Sequence, residues 1–252
     1  MTITNPLHFQ ILGFLKKSKS NFNSVENQWV KRYLGSNKPT YGIKTIKIRN
    51  FAKKIIEKNN LDGQDLINLL NSLYQKGATF NEIDMASKIL GIKTKFCANL
   101  DPNILDNWLN YTYGWAEVDC LCQSNFTQDI LLSNWSVWES LLSKFNKDSN
   151  IHKRRASLVL LNKSLNQSND SRLLKLAFRH INNLKFEKEV LITKAVSWSL
   201  RSLIKFHKNK VLEYLEKNKD HLPKITYREV LTKATTGRKY NNSKNKNMNF
   251  FQ

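Results

Sequence analysis

Asn50 to Ile56 reads NFAKKII, and Asp84 to Leu90 reads DMASKIL. Each segment sets a small residue, Ala52 or Ala86, ahead of an apolar pair one helical turn on. The pattern returns in VDCLCQS around Cys120, in RRASLVL around Ala156 and in TKAVSWS around Ala195. The intervals between these small residues are 34, 34, 36 and 39 positions. A helical hairpin of the HEAT type takes roughly that length, and a small residue at its centre lets neighbouring helices approach closely. The expectation is an all-α fold, an α-solenoid (superhelix) of HEAT-like repeats whose second helices line one concave face. An irregular all-α bundle is the alternative.

The rest of the chain supports helices. KTIKIRNFAKKIIEKN puts Ile46, Ile48, Phe51, Ala52, Ile55 and Ile56 near one stripe, the period of an amphipathic helix. DGQDLINLLNSLYQKG does the same with Leu66, Leu69, Leu70 and Leu73 and ends at Gly77. TFNEIDMASKILG opens with Thr79-x-x-Glu82, a capping box, and stops at Gly91. DPNILDNWLNYTYG opens with Asp101 as N-cap and Pro102 at the first helical position. Helical periodicity then covers 127–146, 151–166, 170–184, 187–207, 209–218 and 223–235. No segment alternates as a strand does. The expected organisation is one repeat domain over 1–235 with a flexible polar tail, TGRKYNNSKNKNMNFFQ, over 236–252.

Forty-one Lys and Arg stand against twenty Asp and Glu in 252 residues, a formal net charge of +21. A low-GC codon bias, which enriches Lys, Asn and Ile, accounts for part of the lysine but not for the shortage of acids. An excess of this size points to a polyanionic partner. No run of about 18 apolar residues is present, so no membrane span is expected. The N-terminus MTITNPLHFQILGFLKK lacks the basic leader of a signal peptide. Cys97, Cys120 and Cys122 give neither metal spacing nor an even disulfide framework, which fits a reduced, cytoplasmic setting. His8, His180, His207 and His221 are scattered without zinc spacing. No metal and no cofactor is expected, and the protein is expected to act as a monomer.

Aligning the repeats also aligns their polar residues. Asp119 precedes Cys120, Arg155 precedes Ala156 and Lys194 precedes Ala195. Trp115 lies one turn before Asp119, in GWAEVD, and Trp198 one turn after Lys194, with Arg201 three residues further on. Glu117 points about 160° away from Asp119 on a helix and reads as a solvated neighbour. Trp108, Trp135 and Trp138 read as packing between repeats.

In their order and spacing, YLGSNKPTYGIKTIKIRNFAK, GWAEVD, NIHKRRASLVLL, ITKAVSWSLRSL and LPKITYREVLTKATTGRK resemble the AlkD-like DNA alkylation repair family of HEAT-like DNA glycosylases. The resemblance covers about residues 28–239. It implies a basic concave groove that grips double-stranded DNA. It also implies hydrolysis of the N-glycosidic bond of N3- or N7-alkylated purines, as in base excision repair, without metal or cofactor. Carried over residue by residue, Asp119 matches the family's catalytic carboxylate, Trp115 the aromatic four positions before it and Arg155 the arginine beside that site. Trp198 matches the second aromatic wall and Tyr33 an aromatic at the mouth of the N-terminal helices. Arg154, Lys194 and Arg201 join them as expected DNA contacts. Two positions depart from the family pattern. His152 stands where an aromatic such as Trp is common, and Lys44, in YGIK, stands where a polar residue facing the opposite strand is expected. Three readings stay open: an alkylpurine DNA glycosylase, a non-catalytic binder of damaged or branched DNA, and a protein-interaction module for an acidic partner.

Overall fold

The computed structural model describes residues 4–21, 24–123 and 125–240. Among them are fourteen helices and no strand, so the fold is all-α, as the periodicity predicts. The chain divides between Asn125 and Phe126 into two compact units.

The first unit holds α1 (Pro6–Lys17), α2 (Ser24–Leu34), α3 (Thr45–Asn59), α4 (Gly63–Leu73), α5 (Phe80–Ile92), α6 (Thr94–Asn99), α7 (Ile104–Leu109) and α8 (Gly114–Cys122). α3 packs on α5 and α5 on α8. The helices that carry Ala52, Ala86 and Cys120 therefore lie side by side. Both alanines are fully buried; a larger side chain at either would force the helix axes apart. α4 covers α5 with Leu66, Leu69, Leu70 and Leu73, all without exposed surface. Burial of each contributes roughly 1.5–3 kcal/mol. Trp108 stacks on Tyr74 with ring centroids 5.1 Å apart, and its Nε1 donates to Asn71 Oδ1 at 2.7 Å.

The predicted capping box is present. Thr79 Oγ1 accepts from the Glu82 N–H at 3.3 Å, and Glu82 Oε2 accepts from the Thr79 N–H at 2.7 Å. Glu82 is also a tertiary tie, because its Oε1 meets His8 Nε2 at 2.9 Å. α1 itself starts where Asn5 Oδ1 accepts from the N–H groups of Leu7 and His8, with Pro6 at the first helical position.

The second unit holds α9 (Gln128–Ser133), α10 (Trp135–Asn146), α11 (Ile151–Gln167), α12 (Ser171–Leu184), α13 (Val190–Lys217) and α14 (Lys224–Thr236). α11 packs on α13 and α13 on α14, with Ala156 and Ala195 fully buried. α10 and α12 cover the row. Trp138 is buried against Phe126, whereas half-buried Trp135 sits under the Arg172 guanidinium, 5.6 Å from its ring centroid.

Some boundaries differ from the sequence reading. The helix expected over 127–146 breaks at Asn134 (φ −128°, ψ 51°) into α9 and α10. Asp101 and Pro102 belong to a turn before α7: Asp101 Oδ1 accepts from the Asn103 N–H at 3.0 Å, and the first helical residue is Ile104. Gly91 does not stop α5, which runs on to Ile92 and ends at Lys93. The boundary expected near 208 is a kink within α13, where His207 leaves helical geometry (φ −133°, ψ 35°). Of the expected tail, 236–240 is described, and 241–252 lies outside the described residues.

Candidate active site and nucleic-acid interface

Two glycines set the first unit's part of the site. Gly114 opens α8 at φ +72°, a conformation that side chains rarely adopt. A Cβ placed there would lie 2.1 Å from the Gly35 carbonyl oxygen and 2.9 Å from that of Leu34. The start of α8 is thus pressed directly onto the end of α2. Gly35, at φ +64°, faces Trp115, whose Cδ1 lies 3.2 Å from where its Cβ would be. Trp115 is fixed by the same approach. Its Nε1 donates to the Tyr33 carbonyl at 2.6 Å, and the Tyr33 ring meets its indole edge-on at 5.6 Å and 84°. Asp119 follows one turn along α8 and is 8 % exposed.

Glu117 is not the solvated neighbour its position suggested. It has no exposed surface. Its Oε1 accepts from Ser36 Oγ at 2.8 Å. Its Oε2 accepts from the Tyr113 N–H at 2.7 Å and pairs with Lys38 Nζ at 2.8 Å. Lys38 Nζ donates to the Tyr111 carbonyl as well. Turned away from Asp119, Glu117 faces the loop between α2 and α3 and pins that loop to the start of α8. A buried carboxylate satisfied by three donors is stable where an unpaired one is not.

On the adjoining helix, buried Asp84 pairs with Lys88 Nζ at 3.1 Å, and burial raises its carboxyl above the ordinary range against the lowering effect of Lys88. Cys120 lies beside this pair. Burial, with the Asp84 charge added, pushes its thiol up to about 12, so Cys120 is not a nucleophile at neutral pH. Lys44 is the exposed N-cap of α3 and makes no side-chain capping bond.

In the second unit, α11 presents His152, Arg154 and Arg155. Asn150 Oδ1 caps the helix by accepting from the His152 N–H at 2.9 Å, and the imidazole is 8 % exposed. Arg154 is committed within the unit. Its Nε and Nη2 donate to Glu187 at 2.8 and 3.1 Å, and its Nη1 donates to the carbonyls of Asp148 and Ser149. Arg155 is 3 % exposed, and its Nη1 donates to the Leu191 carbonyl at 2.6 Å, tying α11 to the first turn of α13. On α13, Lys194 is exposed and Trp198, one turn on, is half-buried. Arg201 is held between Ser197 Oγ at 3.4 Å and Glu229 at 3.9 Å, and burial lowers its pKa against the pull of Glu229.

The structure thus brings Tyr33 and Trp115 into contact, with Asp119 on the same helix as Trp115, and sets Lys194 and Trp198 one turn apart on α13. Sequence reasoning missed Glu117 as a buried tie, and it missed Trp29, which stacks on Tyr33. The spacing Trp29–Tyr33, four residues within one helix, was the available signal for the second.

A stacked-helix protein with this charge excess is of a class suited to a polyanionic partner. A family profile described as DNA alkylation repair enzyme matches residues 16–233, and the chain belongs to that family. Membership gives it a role in the repair of alkylation damage to DNA. Among solved structures, a protein described as a predicted DNA alkylation repair enzyme from Enterococcus faecalis matches with a TM-score of 0.67 at 17 % identity. The match covers 87 % of this chain and 99 % of that one, and it is a likeness of fold. Comparison with curated proteins gives no match.

Proposed function

We propose that the protein is a DNA glycosylase that hydrolyses the N-glycosidic bond of cationic N3- and N7-alkylated purines in double-stranded DNA. The observation that carries this reading is the locked start of α8: Gly114 seated on α2, Trp115 bonded to Tyr33, and Asp119 one turn further along. An alkyl group at N3 or N7 makes the purine positive and already a good leaving group. The C1′–N bond pair departs with the base and neutralises it. Positive charge then develops on the sugar. The Asp119 carboxylate stabilises that charge, and water adds its oxygen to C1′ as its proton passes to the carboxylate. The π faces of Trp115 and Tyr33 attract a cationic nucleotide by roughly 0.5–2 kcal/mol each, and Trp198 offers a further aromatic face on α13. Exposed Lys44 and Lys194 contribute positive charge toward phosphates, while Arg154, Arg155 and Arg201, engaged within their unit, and His152 at the start of α11 add to the local positive potential without leaving their partners. The reading needs no metal or cofactor and a single copy of the chain.

The test is Asp119→Asn, assayed for base release from methylated duplex and for duplex affinity. Excision is expected to fall by roughly 10²-fold or more. Affinity is expected to hold or tighten, since a negative charge near phosphates is gone. Unchanged base release overturns the assignment. Lesion binding without release by the unmodified protein leaves the non-catalytic reading in its place.

A further inference from the structure

In the second unit, α10 and α12 pack on each other. Between them lies a groove of about 550 Å³ that the excision chemistry does not use. α10 lines it with Ser136, Ser140, Ser143 and Lys147. These recur every three or four residues and so share one stripe of the helix. α12 faces them with Arg179, His180 and Asn183. No Phe, Tyr or Trp is among the described residues that line the groove.

Two polar side chains of the lining are buried, Asn146 at 2 % exposure and His180 at 1 %. Asn146 is satisfied: its Nδ2 donates to Ser157 Oγ at 3.0 Å, and its Oδ1 accepts from Asn183 Nδ2 at 2.8 Å. His180 is not. Its Nδ1 lies 3.3 Å from the Ser157 carbonyl, which only accepts, so Nδ1 carries the ring proton. Burial keeps the imidazole neutral at pH 7, which leaves Nε2 as an acceptor. Nothing among the described residues donates to it. A buried acceptor with no donor is unfavourable, and a donor brought by a ligand relieves it.

The rim supplies charge. Arg179 commits Nη2 to Glu139 at 2.8 Å and to Ser143 Oγ at 3.2 Å. Its Nε and Nη1 have no acceptor among the described residues, and Lys147 is exposed. Hydroxyls that both donate and accept, two cations and an unmet acceptor beneath them complement a small hydroxylated anion. With no flat ring to stack on, the groove does not suit a nucleobase.

We infer that the α10–α12 groove binds a small phosphorylated sugar, with its phosphate on Lys147 and Arg179 and a hydroxyl donating to His180 Nε2. The inference stands apart from base excision.

The experiment titrates ribose 5-phosphate, ribose and inorganic phosphate into the full chain by calorimetry at fixed ionic strength. Ribose 5-phosphate is expected to bind roughly tenfold or more tighter than either part. Lys147→Ala is expected to weaken it by roughly tenfold. Ser140→Trp, at an exposed position on the stripe, fills the groove and is expected to abolish binding; thermal melting checks that both variants fold. In protein labelled with ¹⁵N in its histidines, the His180 Nε2 signal, assigned by its loss in His180→Asn, is expected to shift when ribose 5-phosphate is added. Absence of binding overturns the inference. So does equal affinity for inorganic phosphate, or binding that both variants leave intact, because either would place the phosphate on other basic faces of a chain of charge +21. A His180 signal that does not move while ribose 5-phosphate binds overturns it as well.

Discussion

At the scale of single residues, Gly114 does two things that no other residue combines. It adopts φ +72°, and it brings two backbones closer than any Cβ allows. Gly114→Ala meets the Gly35 carbonyl carbon at 2.5 Å and its oxygen at 2.1 Å, neither of which is the end of a flexible side chain. Gly35→Ala meets first the Trp115 side chain, at 3.2 Å. Gly114→Ala is therefore expected to cost about 3 kcal/mol or more, from strain at positive φ plus the displacement of α8. Gly35→Ala is expected to cost only about 1 kcal/mol. Urea unfolding followed by tryptophan fluorescence checks the ranking, and equal losses would show that α8 does not depend on this approach. GWAEVD was legible as the segment of interest, but its glycine was not, because the backbone it meets lies some eighty positions earlier. The same distance hid Glu117. Helical periodicity gave its direction relative to Asp119 correctly, yet Ser36 and Lys38, not water, lie in that direction.

At the scale of elements, the rows α3–α5–α8 and α11–α13 were legible because a small residue at a helix crossing leaves a local trace in the sequence. Ala52, Ala86, Ala156 and Ala195 are all fully buried. Breaks were less legible. The turn at Asp101–Asn103 uses the same Asx bonding as a helix cap, and Asn134 interrupts a stretch whose apolar spacing continues through it. Buried polar ties between helices were not legible at all, and His180 is one of them. It lies on α12, its Nδ1 is 3.3 Å from the Ser157 carbonyl on α11, and it is 1 % exposed. Burial drives its pKa from the ordinary 6.5 down to about 4, against a raising effect from Ser157. The folded imidazole is thus neutral, and between about pH 4 and 6.5 only the unfolded state takes up the proton. Stability from this residue is complete above 6.5 and falls as pH drops toward 4, by up to about 3 kcal/mol. His180→Asn, which keeps a donor near the Nδ1 position, is expected to flatten stability against pH across that window. Unfolding free energies measured at several pH values check it, and an unchanged slope would mean that other groups titrate there.

At the scale of the whole molecule, the charge of +21 was legible from composition, and under the proposed excision activity it bears on which lesions would be removed. Among the described residues, no helix is long and apolar enough to cross a membrane, and membership in a DNA alkylation repair family makes DNA the polyanion that the charge meets. Positive charge that attracts phosphates also repels a cationic base. If the proposed activity holds, discrimination in favour of alkylated purines has to come from groups of the opposite kind, the Asp119 carboxylate and the aromatic faces. Of the other acids near Asp119, Glu117 is spent on Ser36, Lys38 and the Tyr113 N–H, while Asp84 is buried against Lys88 and Cys120. No general acid from this set is aimed at a departing base. Neutral lesions such as uracil, 8-oxoguanine and hypoxanthine leave only when protonated or gripped at their hydrogen-bonding edge. N7-methylguanine and N3-methyladenine carry their own charge and need neither. Excision is therefore expected to be confined to the cationic purines. Duplexes bearing one lesion each, incubated with excess protein and assayed for abasic sites, check this. Efficient removal of uracil or 8-oxoguanine would require a proton donor other than these carboxyl groups, and would move the chemistry away from charge stabilisation by Asp119 alone.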